Sequence, residues 1–358
     1  MIRTLGRYLL RNNLFLILVC MGVGVVVYLL SDIFDRLDDF INAGLGLMVI
    51  ITYFGAKIPL ILSQIMPAVF LIALVVQLSL MERSRELLAL QTGGISYGRL
   101  AAFFVVYAIL WSFFQLGFSQ YFGVIGEQIS SRIWAEKVRE RQIDTNHVDN
   151  VWFRDNNYII HFGEANAGRG EGRDITIWQI SKDHQSLIWM AQAPQFSVTA
   201  GGWTLYRAKT VELSNFQTRL VPAMSVNVEQ DLKAFTVTTQ GTNPAELPVW
   251  QLRSAIRDLQ RSGSNVEELK TAYYGKWAYA FSILTMALLA LAVSSYRRNI
   301  YVNITVSLVI TFAFYGLMVM GNTMGAKGLV PPLVGAWAGN LAMMLASVSR
   351  LVWVTSKR

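Results

Sequence analysis

The chain has 358 residues, of which 53% are hydrophobic and only 15% are charged, and its formal net charge is +8. A soluble domain usually carries about 25% charged residues, so this composition argues against a wholly soluble protein and favours a membrane protein. The single cysteine, Cys20, excludes an intrachain disulfide. The apolar runs crowd into residues 13–123 and 273–354, whereas residues 124–272 have the composition of a soluble domain.

Six stretches are long and apolar enough to cross a bilayer as helices, since a crossing needs about twenty mostly apolar residues. Three precede the polar segment and three follow it. Pro67 lies inside the second stretch and predicts a kink there, and a separate short interfacial helix is expected before it, at 47–54. The six stretches are residues 13–30, 59–81, 100–124, 273–294, 301–320 and 330–354.

Basic residues are distributed unevenly between the two sides of these spans. With the N-terminus inside, the inside segments hold 11 Lys or Arg against two acids, and the short outside segments hold three against four. Residues 124–276 contribute 17 bases and 17 acids, so the positive charge follows the topology and does not imply a nucleic-acid partner. The positive-inside rule predicts cytoplasmic termini and places residues 124–272 on the far side.

Between the third and fourth spans the pattern changes to short alternating runs broken by Asn and Gly, such as VWFRDNNYIIHF and GGWTLYRAKTVEL. This pattern predicts an antiparallel β-sandwich or jelly roll. Its tryptophans (Trp152, Trp178, Trp189 and Trp203) are interpreted as core or hairpin packing, with a ligand-binding box as the alternative. After Pro248, the amphipathic segment VWQLRSAIRDLQ predicts a helix that leads back to the membrane.

The sequence lacks the common signatures of catalysis. It contains no G-x-x-x-x-G-K-[ST] motif, so we expect no ATP hydrolysis by a P-loop in this chain. His147, His161 and His184 are scattered, without an HExxH motif or cysteine partners, so no metal site is expected. No nucleophile elbow occurs either, and we expect no catalytic residues.

The loop MERSRELLALQTGGISYGRL, between spans two and three, is the strongest positive signal. It predicts a short helix within residues 82–95 that a glycine pair ends. The positive-inside rule explains basic residues in a cytoplasmic segment, but it does not explain acidic ones. The acidic residues of this loop therefore favour a docking helix for a cytoplasmic partner. The alternative is a solvated loop that obeys the positive-inside rule. The candidate docking residues are Glu82, Arg83, Glu86, Leu87, Leu90 and Gly93.

The outer end of span one, SDIFDRLDDFINAG, adds charges to an apolar helix. Ionisable groups there usually face a protein interior, a cavity or lipid headgroups. Arg36 can bind a lipid phosphate or pair with Asp32 one helical turn earlier, and the intrahelical pair is the expected one. Further bases follow span three. The candidate lipid-binding residues are Asp32, Asp35, Arg36, Arg132 and Lys137.

Spans five and six carry a series of small residues, which let neighbouring helices approach closely. We expect close packing between these spans, with a lateral gate as the functional alternative. The residues are Gly316, Gly321, Gly335, Ala338 and Gly339.

The whole chain resembles the permeases LptF and LptG of the lipopolysaccharide exporter. The similar segments are RTLGRYLLRNNLFLILV, RSRELLALQTGGIS, GEQI, VWFRDNNYIIHF and GKWAYAFSILTMALLALAV. The loop after span two is the most specific of them. Together with the GEQ turn, it favours LptG over LptF.

This resemblance implies an α-helical protein of the bacterial inner membrane, with six transmembrane helices and a periplasmic β-jelly-roll domain inserted between helices 3 and 4. Residues 1–123 would hold helices 1–3, residues 124–272 the periplasmic domain, and residues 273–358 helices 4–6. By motif position, Glu86 matches the family's coupling-helix glutamate, and Asp35 matches an acidic position at the periplasmic end of span one.

The implied function is that of a non-catalytic permease subunit, which extracts lipopolysaccharide from the inner membrane and passes it to a periplasmic bridge toward the outer membrane. Its partners would be a second LptF-like or LptG-like permease, two LptB-like ATPase subunits that bind ATP and Mg²⁺, and an LptC-like subunit. Two alternatives are a permease for another lipid or lipoprotein, and a membrane scaffold or sensor. The known lipoprotein-releasing permeases have four spans, and a scaffold would need no docking helix.

Overall fold

The computed structural model describes residues 2–139, 147–181, 186–199, 202–212, 217–228, 232, 244–261, 265–295 and 299–356. The chain divides into two compact units. The first comprises Met1–Arg141 and Lys270–Arg358, and the second comprises Gln142–Leu269.

Within the described residues, the first unit contains six helices that are long and apolar enough to span a membrane, as predicted. A short helix, α3, connects the second of them to the third, and α5 lies in the second unit. The helices are α1 (Ile2–Asn42), α2 (Leu47–Arg83), α3 (Glu86–Thr92), α4 (Tyr97–Val138), α5 (Val249–Arg261), α6 (Glu267–Ser294), α7 (Ile300–Ala326) and α8 (Pro332–Ser356).

The first two helices are longer than hydropathy predicts. The charged segment that follows the apolar part of α1 continues the same helix to Asn42. A helix can extend beyond the hydrocarbon in this way because its backbone N–H and C=O groups stay paired with each other. The expectation of a separate interfacial helix at 47–54 is wrong, since α2 runs unbroken from Leu47 and contains both Pro59 and Pro67. Lys57 therefore lies within α2 and not in a loop before it.

The core of the first unit is built around α2. Phe70 and Leu74 of α2 are fully buried, in one cluster with Phe104 of α4, Met286 of α6 and Phe314 of α7. By contrast, α1 exposes apolar side chains along most of its length, as suits a helix facing lipid or another membrane protein. The helix α2 is therefore the central helix of this unit.

Glycines bring α7 and α8 into close contact. A Cβ atom on Gly321 would lie 2.4 Å from the carbonyl oxygen of Gly335, and one on Gly335 would lie 2.6 Å from the carbonyl oxygen of Gly321. A Cβ on Gly339 would lie 3.3 Å from the backbone nitrogen of Met318. The predicted close packing is thus confirmed at these three positions. Gly316 differs, because a Cβ there would meet nothing within 4 Å.

The second unit contains an antiparallel sheet, in which the six strands of the described residues pair in chain order. This sheet is inserted between the third and fourth spanning helices, which confirms the predicted fold class. The strands are β1 (His147–Asp155), β2 (Tyr158–Asn166), β3 (Glu171–Ile180), β4 (Leu187–Thr199), β5 (Gly202–Glu212) and β6 (Gln217–Val226).

One face of the sheet is filled by a cluster of aromatic rings. Trp203 of β5 is fully buried and stacks on Phe196 of β4, with 5.2 Å between the ring centroids. Phe153 and Phe162 lie 5.6 Å and 5.9 Å from the same indole ring. The interpretation of Trp203 as a core residue is confirmed.

The other tryptophans pack in pairs. Trp152 lies on the opposite face of the sheet from its neighbour Phe153 and is 57% exposed. Its ring stacks on that of Trp178, with 5.3 Å between the centroids, and lies 4.3 Å from the ring of His161. Trp189 packs against Tyr158, with 6.1 Å between their centroids. The contact between Trp152 and His161 joins neighbouring strands, whereas the contacts of Trp152 with Trp178 and of Trp189 with Tyr158 each reach across an intervening strand.

Candidate functional site

The first candidate site joins α1 to α2 through one carboxylate. The Nζ atom of Lys57 donates to both carboxylate oxygens of Asp32, at 2.8 Å and 2.7 Å, and the Nε atom of Arg36 donates to Oδ1 of the same group at 2.9 Å. The expected pair between Arg36 and Asp32 is confirmed. Trp134 and Tyr53 cover the two cations, at 4.4 Å from Arg36 and 5.0 Å from Lys57. We call these five residues the outer cluster, after the side predicted from charge.

Asp32 and Lys57 of the outer cluster are buried, which makes the ion pair between them costly to break. Asp32 and Lys57 are each only 9% exposed. Removing one partner of a buried pair leaves the other charge without solvation, at a cost of about 3–5 kcal/mol. Asp32 binds two cations, so the carboxylate is the group on which the local arrangement depends.

A cavity of about 580 Å³ adjoins the outer cluster, between α1, α2 and α4. Its lining is mostly polar and contains charges of both signs. In size it suits one charged or polar headgroup. Besides the outer cluster, the cavity is lined by Tyr28, Asp35, Asp39, Leu60, Gln64, Glu127, Ser130, Ser131 and Arg139.

The predicted lipid-binding residues separate into two groups. Asp32, Asp35 and Arg36 come together at this cavity. Arg132 and Lys137 are exposed on α4 and do not line it. The prediction for these two residues rested on their position just after span three. It did not consider which face of the helix they occupy.

Lys57 is the functional candidate that sequence reasoning missed. The sequence prediction starts the second span at Pro59 and therefore counts Lys57 among the basic residues outside the membrane. A charge in that position needs no explanation. The available signal was a lone lysine inside the apolar sequence LMVIITYFGAKIPLIL. An ionisable group inside a membrane helix indicates a functional site by default.

The second candidate site is α3. The preceding helix ends at Arg83 with Ser84 as its cap, and Arg85 then adopts a left-handed conformation with φ of 60° that turns the chain into α3. The helix ends at Thr92, before Gly93 and Gly94, as the glycine pair predicts. We name this helix and its contacts the α3 site.

The α3 helix is shorter than the range 82–95 given to it by prediction. Glu82 and Arg83 belong to the last turn of α2, so they do not form the first turn of α3. The reason is the left-handed Arg85, because a helix cannot continue through such a residue. No local pattern predicts that conformation for an arginine.

Glu86 begins α3 and is already bound within the chain. It accepts hydrogen bonds from the hydroxyl of Tyr8 on α1, at 2.9 Å, and from the hydroxyl of Ser84, at 3.0 Å. Leu87 and Leu90 are half-buried and pack against the membrane core, whereas Leu88 is 58% exposed. The exposed apolar surface of α3 therefore centres on Leu88, which the prediction did not single out. Gly93, at the helix end, is exposed.

A cavity of about 670 Å³ lies beside the α3 site. It separates the start of α1 from the end of α2, and the hydrogen bond between Tyr8 and Glu86 crosses this region. Its lining residues are Tyr8, Asn12, Phe15, Leu16, Gln77, Leu80, Met81, Arg83, Ser84 and Glu86.

In the part of the chain that the structure describes, no three side chains among His, Cys, Asp and Glu are grouped so as to hold a metal ion. The Nε2 atom of His161 lies 2.9 Å from the side-chain oxygen of Asn150. His184 and the side chain of His147 fall outside the described residues.

Comparison with known proteins agrees with this architecture. No curated protein matches the chain. The family described as "Lipopolysaccharide export system permease LptF/LptG" matches residues 7–353, which extend from α1 into α8 and include the whole inserted unit. With three spanning helices on each side of a β-domain and a match along nearly its full length, the chain belongs to the LptF/LptG family of lipopolysaccharide export permeases.

Proposed function

We propose that this chain is one of two permease subunits that extract lipopolysaccharide from the bacterial inner membrane and pass it to a periplasmic bridge. Family membership supports the permease role. The observation that carries the finer proposal is the outer cluster, where two cations share the carboxylate of Asp32 beside a cavity between spans. We propose that lipopolysaccharide headgroups bind there.

A lipid phosphate offers the same chemistry to the two cations as the carboxylate of Asp32 does. It can bind Lys57 and Arg36 alongside that carboxylate, since both side chains bind either anion. The cavity wall also carries Asp35, Asp39 and Glu127, which repel an incoming phosphate. This mixture of charges gives weak binding, and a transport site must release what it binds.

Lipid extraction needs an energy source outside this chain. Moving acyl chains out of the bilayer costs about 0.8 kcal/mol for each CH₂ group. The sequence has no P-loop, so we propose that two LptB-like ATPase subunits bind ATP and Mg²⁺ and dock at the α3 site. A second permease would complete the cavity, and an LptC-like subunit would receive the lipid. The choice of LptG over LptF stays a prediction.

The two candidate sites are connected through α2. Its outer segment supplies Lys57, and its last residue, Arg83, is separated from α3 only by Ser84 and Arg85. An ATPase that moves α3 would therefore move α2, and with it one wall of the headgroup cavity. The cytoplasmic position of α3 follows from the predicted orientation.

Crosslinking tests the headgroup site. A photoreactive residue at the exposed Asp35 position should capture lipopolysaccharide in cells, and Lys57→Ala or Arg36→Glu should reduce capture about tenfold, since a charge-assisted hydrogen bond contributes about 1.5–3 kcal/mol. Lys327→Ala, at the end of α7, serves as the control because it removes an outside base away from the cavity. Equal capture in all the variants would contradict the headgroup assignment.

Copurification tests the docking proposal. Glu86→Ala should weaken ATPase association while leaving membrane insertion intact, because it removes the carboxylate at the start of α3. Tyr8→Phe is the matched control, since it removes the 2.9 Å bond to Glu86 but keeps the charge. If Glu86→Ala retains the ATPase at the wild-type level, Glu86 does not act in coupling.

A further inference from the structure

A backbone carbonyl in the middle of α2 is bound by a side chain from another helix. Pro67 has no N–H, so the carbonyl of Ser63, four residues earlier, lacks its normal helical donor. The Nε2 atom of Gln115 on α4 donates to this carbonyl oxygen at 2.6 Å. Gln115 is fully buried. A side chain thus replaces the missing backbone donor, as hydrocarbon surroundings require.

The next carbonyl along α2 is also bound from outside the helix. The hydroxyl of Tyr279 on α6 donates to the carbonyl oxygen of Gln64, and the hydroxyl of Tyr315 on α7 donates to the same oxygen at 3.3 Å. In a regular helix the donor to this carbonyl is the N–H of the residue four positions later, here Ala68, which follows the proline. Three helices therefore supply donors to two consecutive carbonyls of α2.

The neighbouring helix α4 is irregular at the same level. Residues Ser119–Gly123 form a π-helical turn, a feature that occurs frequently at functional sites. Gly123 lies against α2, because a Cβ atom there would be 3.0 Å from the hydroxyl oxygen of Ser63. The departure of α4 from regular α-geometry thus lies where it touches the part of α2 that lacks one backbone hydrogen bond.

This point divides α2 into two segments with different surroundings. The segment 68–83 lies in the membrane core and leads to α3. The segment 47–64 carries Tyr53 and Lys57 of the outer cluster and lines its cavity.

We propose that α2 is jointed at Pro67, and that Gln115, Tyr279 and Tyr315 are positioning residues that hold the joint. The joint lets the segment 47–64 reorient Lys57 when the segment 68–83 moves with α3. Bending at Pro67 strains fewer backbone hydrogen bonds than bending a regular helix does, because the bond to Ser63 does not exist, and the side-chain donors can follow the carbonyls. The role of the joint in transport rests on the proposed function, whereas its existence does not.

A double-mutant cycle on the purified full chain tests the role of Gln115. In the wild-type background, Gln115→Leu leaves the Ser63 carbonyl without a donor and should lower the melting temperature by about 3 °C. In a Pro67→Ala background, the restored backbone N–H bonds to Ser63, so Gln115→Leu should have almost no effect. An equal decrease in both backgrounds would show that Gln115 does not replace the missing donor.

Spin labels test the joint itself in the full chain in lipid nanodiscs. Met48→Cys and Leu80→Cys place labels on exposed positions of the two segments, in a Cys20→Ser background. The distance distribution should be broad with Pro67 and narrow in Pro67→Ala. Pro59→Ala is the matched control, because Pro59 is the other proline inside α2 and lies in the outer segment, eight residues before Pro67. Identical distributions in all three proteins would overturn the joint.

A reconstituted complex with a second permease and an ATPase separates the joint from the proposed function. Pro67→Ala should retain ATP hydrolysis but release less lipopolysaccharide for each ATP hydrolysed, and Pro59→Ala should not. Unchanged release in Pro67→Ala would overturn the role of the joint in transport. If the wild-type complex releases no lipopolysaccharide, the proposed function fails, while the spin-label and stability measurements still decide the joint.

Discussion

Asp32 is the residue on which the outer cluster depends. Its carboxylate accepts from a cation of its own helix and from a cation of α2, so one side chain fixes the relative position of two helices. The two pairs differ in origin. Arg36 lies one turn away on α1, whereas Lys57 reaches the same carboxylate only because α1 and α2 pack together.

Removing Asp32 should destabilise the protein more than removing Lys57. Asp32→Asn removes the only acid bonded to the buried Lys57 in the described structure and should destabilise the protein by about 3 kcal/mol. Lys57→Met should cost less, because Asp32 keeps its pair with Arg36 and a thioether suits the apolar surroundings. Thermal unfolding of the two variants in detergent measures the difference. A larger loss in Lys57→Met would contradict the assigned burial.

Local spacing explains which of these contacts could be predicted. The pair between Asp32 and Arg36 follows from helix periodicity alone. The contact of Lys57 depends on the packing of two helices and on where α2 begins, and hydropathy reports neither. The same limit applies to Gln115, whose partner Ser63 lies 52 residues away in sequence.

At the scale of elements, hydropathy located the six spans but not their ends. Hydropathy detects the part of a helix that lies inside hydrocarbon. The helices α1 and α4 continue well beyond that part, since the helical segments that contain their spans are 39 and 42 residues long. The β-class of the inserted unit was predictable, since alternation defines it. The start of α3 was not, because it depends on the left-handed backbone of Arg85.

The packing of α7 on α8 leads to a prediction with a control in the same helix. Gly321→Ala would place a Cβ atom 2.4 Å from a carbonyl of α8, and should destabilise the protein by about 1–3 kcal/mol. Gly316→Ala meets open space and should be neutral or slightly stabilising, because alanine favours helix. Melting temperatures in detergent compare the two. A similar decrease for both substitutions would contradict the close contact.

At the scale of the whole molecule, α2 connects the two candidate sites. It is the central helix of the membrane unit, it supplies Lys57 to the outer cavity, and it leads directly into α3. The order of three spans, a β-domain and three spans was predictable from composition and alternation along the chain. The proposed path of coupling was not, because it depends on contacts between helices far apart in sequence.

ATP-dependent release of lipopolysaccharide is the most direct test of the proposed function. The chain would be purified in mild detergent with its native partners and reconstituted in liposomes that contain lipopolysaccharide. We expect an ATPase to copurify, and lipopolysaccharide to be released only with ATP and Mg²⁺ and much less in Lys57→Ala than in Lys327→Ala. Purification without an ATPase, or release that does not depend on ATP, would contradict the account.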